Sequence, residues 1–178
     1  MNDIAELRRR LDNMIRLGTI AQVDHAKALC RVQSGAILTG WLPWLSLRAG
    51  TTKRWNPPSN GEQCIVYSPS GELAQGIALV GIYSSNNPAP GNVANLDRTT
   101  YPDGAVIEYD AAAHKLRAQL PGGGQAELIA DGGISIVGDI TLTGTLTASG
   151  DVIAAGISLV HHVHGGVMAG PADTGAPK

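Results

Sequence analysis

Gly132-Gly133-Ile134-Ser135-Ile136-Val137-Gly138-Asp139-Ile140-Thr141-Leu142-Thr143-Gly144-Thr145-Leu146-Thr147-Ala148-Ser149-Gly150 repeats itself every six residues. The glycines continue to Gly156, and two places after each of the first four stands Ile134, Ile140, Leu146 or Val152. A further two places on come Ile136, Leu142, Ala148 and Ala154. Within a hexad the apolar period is two, the period of a half-buried strand. The recurring glycine marks where the backbone turns or approaches a neighbour closely. The run leads through Ile157-Ser158-Leu159-Val160 into His161-His162-Val163-His164-Gly165-Gly166.

Six residues of strand span roughly 20 Å, and one copy of this stretch offers one apolar face with no partner layer. A single-chain β-helix buries such faces by stacking about three or more repeating units, which some thirty residues do not supply. Two readings are open: several identical chains wrapped about one axis, three faces suggesting three chains, or a Gly- and Thr-rich linker. In an extended chain residues i and i+2 project to the same side, so His162 and His164 would point towards the axis of a trimer, with His161 outward. Three chains then present six imidazole nitrogens. Imidazole suits iron, nickel, copper or zinc, and because zinc prefers four ligands the six-nitrogen octahedral cage leans towards iron or nickel. The competing reading is a solvent-exposed His cluster that binds nothing specific.

The other end of the chain reads differently. Asp3 followed by Glu6 resembles a helix-capping signal, and Ile4, Leu7, Leu11 and Met14 form an apolar seam closed by Gly18, which gives a helix over 1–17. So short a helix docks on a partner or on its symmetry mates. Arg8, Arg9, Arg10 and Arg16 make a solvated basic face or meet an acidic partner. Strands are predicted at Thr19 to Val23, Lys27 to Gln33, Ala36 to Leu47, Glu62 to Tyr67 and Glu72 to Ile82, with Asp24-His25 at a hairpin tip. Five short strands suggest an OB-type barrel over 18–84. Residues 85–105 read as a linker by composition, from Ser84-Ser85-Asn86-Asn87-Pro88 onward. Beyond it, Val106 to Tyr109, Lys115 to Leu120 and Ala126 to Ala130 alternate as strands, with His114 at a turn. They form the root of a β-helical needle over 106–160 that ends in a tip over 161–178.

Composition narrows the functional classes. The 178 residues carry a net charge of −2, 43% hydrophobic residues, 23 glycines and only 4% aromatics. An OB barrel raises nucleic-acid binding as a rival function, but that calls for a basic groove with exposed aromatics, and the charge supplies no such footprint. Trp41, Trp44 and Trp55 stand beside prolines, as in rigid loop packing. No apolar leader and no run of about 18 apolar residues occurs, so secretion by a signal peptide and membrane spanning are not expected. Cys30 and Cys64 have no C-x-x-C spacing and read as buried thiols. The motifs G-x-S-x-G, H-E-x-x-H and the P-loop are absent, and no catalytic residue or small-molecule substrate is expected.

Gly40-Trp41-Leu42-Pro43-Trp44-Leu45, Trp55-Asn56-Pro57-Pro58-Ser59-Asn60-Gly61-Glu62-Gln63, Ser68-Pro69-Ser70-Gly71-Glu72-Leu73 and Gly81-Ile82-Tyr83-Ser84 together resemble the baseplate assembly protein V family of contractile-tailed phages. The segment from Gly150 to Leu159 leading into His162-Val163-His164 resembles that family's spike tip. The resemblance implies a mainly β chain: an N-terminal short helix, an OB-fold collar, then an intertwined trimeric β-helix with a metal-bound tip. It implies one iron ion per trimer, held by His162 and His164 of each chain. The partners it implies are two more copies, the baseplate hub and tail tube proteins, and the target bacterial outer membrane. The expected place is the centre of a virion's tail baseplate, assembled in the host cytoplasm. The expected role is puncture by a stiff point, and the alternative is a non-piercing plug for baseplate assembly.

Overall fold

The computed structural model describes residues 2–163 and Gly170. The chain is mainly β, with one short N-terminal helix and an OB-type barrel. It divides into two units, 1–126 and 127–178.

The helix α1 spans Asn2–Met14 and passes without a loop into β1, Ile15–Asp24. Gly18 does not close it, and the 1–17 boundary is corrected. Ile15, Arg16 and Leu17 alternate and pair with Tyr67, Val66 and Ile65, so sheet pairing claims them before a helix can. Gly18 serves instead inside the strand, where a Cβ would come within 2.7 Å of the Gln33 carbonyl oxygen. Glu6 does not reach back as a cap either. It accepts from Arg9 Nε at 2.8 Å and Arg10 Nε at 2.7 Å, and these guanidiniums hold its carboxyl down to about 2. Arg9 also reaches Glu72 at 3.6 Å. The arginine side of α1 thus meets the barrel, while Ile4, Leu7 and Leu11 stay exposed.

The barrel continues with β2 Leu29–Ser34, β3 Ile37–Leu38, β4 Leu42–Pro43, β5 Gln63–Tyr67 and β6 Ile77–Ile82. Its order is β3-β2-β1-β5-β6, with β4 on β2. Trp44 bridges Ala78 of β6, and Leu45 N donates to Ala78 O at 2.8 Å, which closes the cylinder. Alternation along β2 and β5 turns Cys30, Val32, Cys64 and Val66 inward to meet Ile20, Leu42 and Ala78. Burial pushes both thiols up to about 11, so they are inert in the folded barrel.

Two predicted strands are shorter than expected. The run from Ala36 to Leu47 breaks between β3 and β4, where the Thr39 hydroxyl takes the Val32 N–H at 2.9 Å and the Thr39 N–H goes to Val32 O at 2.9 Å. Residues 72–76 are not strand: Pro69–Gly71 and Leu73–Gln75 are single 3-10 turns, with Ser70 and Gly71 at positive φ. Gly71 is required there, since a Cβ would run into the Arg10 backbone of α1.

A second sheet occupies part of the stretch read as a linker. β7 Leu96–Thr100 pairs with β8 Val106–Asp110, and β8 with β9 Lys115–Gln119. One face carries Arg98, Glu108 and Arg117 in direct cross-strand register. Glu108 accepts from Arg98 Nε at 2.7 Å and from Arg117 Nη1 at 3.4 Å, so its carboxyl is held below the ordinary range, by Arg98 first. The opposite face carries Ile107, Tyr109 and Leu116, all exposed.

The two long hairpins share one turn. Asp24 Oδ1 accepts from the Ala26 and Lys27 N–H groups, and Ala28 takes φ 55°. Asp110 Oδ1 accepts from the Ala112 and Ala113 N–H groups, and His114 takes φ 51°. His25 and His114 are therefore turn residues, as the sequence suggests.

In the second unit, residues 127–152 carry no strand ladder within the chain, including 127–130 of the run predicted at Ala126 to Ala130. Gly138 and Gly144 take φ of 134° and 131°, open only to glycine at low cost. Leu142 is 57% exposed and Leu146 72%. Pairing begins only at β10 Ile153–Ala154 and β11 Ile157–Ser158.

Candidate metal centre

The hairpin of β10 and β11 presents the histidines. Its two central residues, Ala155 and Gly156, take φ of 51° and 82°, the positive pair that a tight type I′ hairpin turn demands. The ladder extends by Leu159 N to Val152 O at 2.9 Å.

Beyond it the chain is gathered by Asp151. Its carboxylate accepts from the Val160 N–H at 3.1 Å. The Ser158 hydroxyl, followed by backbone N–H groups, holds the acid below the ordinary carboxylate range. Ser158 Oγ in turn accepts from the His161 N–H at 2.8 Å, and Ser158 O from the His162 N–H at 3.2 Å. The backbone before His162 is therefore a turn, not the extended run expected of it. A carboxylate and a hydroxyl close to several N–H groups offer more bonds than an extended segment could keep.

His162 Nδ1 lies 3.0 Å from Ser158 O and 3.1 Å from Leu159 O. Carbonyl oxygens only accept, so Nδ1 carries the proton and the lone pair of the neutral ring sits on Nε2. This is the arrangement that metal-ligating histidines use, one ring nitrogen held by a carbonyl and the other a ligand. The donor chemistry thus fits an imidazole-bound transition metal. Val152, Ala154, Ile157 and Leu159 line a cleft of about 300 Å³ beside His162.

His161 is exposed, its N–H bound to Ser158. His164 lies outside the described residues. Among the described residues no group of three or more His, Cys, Asp or Glu side chains converges on one point. Asp151 and Ser158 are not among the site residues expected from the sequence; their signal is an Asp and a Ser flanking a two-residue turn just before the histidines.

Comparison with known proteins agrees with this anatomy. Residues 16–83 match the Type VI secretion system/phage-baseplate injector OB domain, and residues 156–178 match the GpV Apex motif. The chain is 47% identical over 108 residues to the spike protein of Escherichia phage P2, covering 61% of this chain and 51% of that relative. It therefore spans about half the length of the curated relative it matches. With an injector OB domain matched over its barrel and an apex motif matched from Gly156 onward, the chain resembles the phage baseplate assembly protein V family of spike proteins in both regions.

Proposed function

We propose that this chain is the central spike of a contractile tail baseplate, a virion component that works as a homotrimer and pierces the outer membrane of the target bacterium. One observation carries the reading: the hexad side chains that alternate as a strand core does are exposed in a single chain. Burying an aliphatic side chain is worth about 1.5–3 kcal/mol, so a stretch this regular and this bare is built for copies of itself. Ile107, Tyr109 and Leu116 on the second sheet and the α1 seam are further apolar faces for such copies.

The action is mechanical, not enzymatic. Wrapped chains share their backbone hydrogen bonds, so separating them at the point requires breaking many at once. His162 and His164 of each chain would hold a structural metal ion, iron on the family resemblance, which ties three termini together where fraying would start. Asp151 and Ser158 fix the backbone that carries His162 and keep its proton on Nδ1. The barrel would meet the hub and tube proteins of the baseplate.

Light scattering and elemental analysis of the purified chain test the reading together. The expected result is the mass of three chains with one iron per trimer. A monomer would overturn the assembly. A trimer without metal would overturn the locked tip alone.

A further inference from the structure

The barrel carries a cavity that neither the spike reading nor the tip accounts for. Trp44, anchored on Ala78, packs against Trp55 with ring centroids 5.6 Å apart and planes tilted by 59°. The loop between them is closed on itself. Arg54 N donates to Arg48 O at 3.0 Å, Ala49 bridges Lys53, and the Ser46 hydroxyl reaches Arg48 O at 3.2 Å and Arg54 O at 2.9 Å. This closure sets Arg48, Lys53 and Arg54 around the two indoles and Pro43, bordering about 480 Å³.

No acidic side chain lines that space. Among the described residues none of the three cationic heads has a carboxylate within ion-pair distance. Other cations of the barrel are engaged: Lys27 by Asp24, Arg31 by Thr39 and Gln22, Arg16 by Asn13 and Ser34. In a chain of net charge −2, three adjacent uncompensated cations on a braced loop are a local exception.

We propose that this cavity docks an acidic peptide segment of a second protein, with carboxylates on Arg48, Lys53 and Arg54 and an apolar part of the segment against Trp44 and Trp55. Guanidinium groups pair with carboxylates bidentately, and Trp with Arg is the composition of interface hot spots. A protein fits better than nucleic acid. The basic surface is three residues wide, and the two indoles pack on one another instead of standing apart as platforms for successive bases. A second copy of the chain fits less well, since the surfaces suited to self-association are apolar. The proposal stands on the barrel alone and survives failure of the spike reading.

The test titrates the full chain with an acetylated, amidated peptide of alternating Asp and Glu ending in Leu, following indole fluorescence. Trp41 lies elsewhere, under Arg31 at 5.9 Å, and W41F removes its background. The expected result is a saturable change that weakens with salt and is at least about tenfold weaker in R48E/K53E/R54E, with the melting temperature unchanged. If that variant does not fold, R48Q/K53Q/R54Q is read in its place with the same expectation. No response to the acidic peptide, or equal binding by the charge-altered chain, overturns the proposal. So does oligothymidylate of the same charge binding as tightly.

Discussion

The barrel and the hexad stretch use the same alternation to opposite ends. Between Ile15 and Ile82 the inward positions converge on Ile20, Cys30, Val32, Leu42, Cys64, Val66 and Ala78, and one chain finishes the core. Between residues 127 and 163 alternation is at least as regular, yet no side chain there is buried. The difference lies in closure. Strands β1 to β6 curl until Trp44 meets Ala78, whereas a chain with a glycine every sixth residue has no second layer to close on. Periodicity says which residues want burial, and chain length between turns says whether the same chain can supply it.

One substitution in each region separates the two kinds of core. Leu42→Ala should cost about 2–5 kcal/mol at any protein concentration, read by denaturant unfolding of the barrel. Leu142→Ala should cost a similar 2–5 kcal/mol per chain, but only for the assembled trimer, and its midpoint should move with concentration. If Leu142→Ala stays within about 0.5 kcal/mol, as an exposed residue does, the hexads are a linker and not a core.

A smaller effect is expected at the tip. Asp151→Asn removes the charge that gathers the Ser158 hydroxyl and the Val160 N–H. In the assembled chain it should weaken iron retention about 10–100-fold in equilibrium dialysis while molar mass is unchanged. Unaltered retention would show that the hairpin holds His162 without it.

The smallest concerns the second sheet. Glu108 titrates lower in the folded state than in the unfolded one, because Arg98 on β7 and Arg117 on β9 face it. Its stabilisation is therefore fully present above the unfolded value of about 4.3 and is lost as pH falls through the folded value. Glu108→Gln should flatten the acid limb of thermal stability below that pH. An acid limb as steep as the unsubstituted chain's would place the loss elsewhere.

The sequence was legible where a signal was local. The Asp24 and Asp110 turns, the inward faces of β2 and β5, and the hexads are all written in neighbouring residues. What was not legible depends on partners distant in the chain. Gly18 carries the mark of a helix end, but Ile15 to Leu17 pair with residues near Val66, and nothing adjacent announces it. β7 was hidden because Asp97-Arg98-Thr99-Thr100 is polar, and it becomes a strand only when Arg98 finds Glu108 ten residues on. Glu72-Leu73-Ala74 runs on into the apolar Ile77-Ala78-Leu79-Val80 and so reads as the start of that strand, yet the turn at Ser70 and Gly71, pressed against α1, holds it in a 3-10 arrangement. At the tip the histidines were visible, but the Asp151 and Ser158 bonds that orient one of them were not.

The paired aspartate turns have a consequence in time. Each is closed by bonds within four residues, so each hairpin can zip in about 1–10 μs without waiting for the rest of the chain. The hexads have nothing comparable, and if they wrap about other copies as proposed, their pairing waits for collisions that slow with dilution. Freshly made chains at low concentration would thus accumulate with finished barrels and bare, strand-ready ends, a population prone to wrong partners. For a spike assembled in that way, the rate of synthesis at one place in the cell would decide how many trimers form correctly.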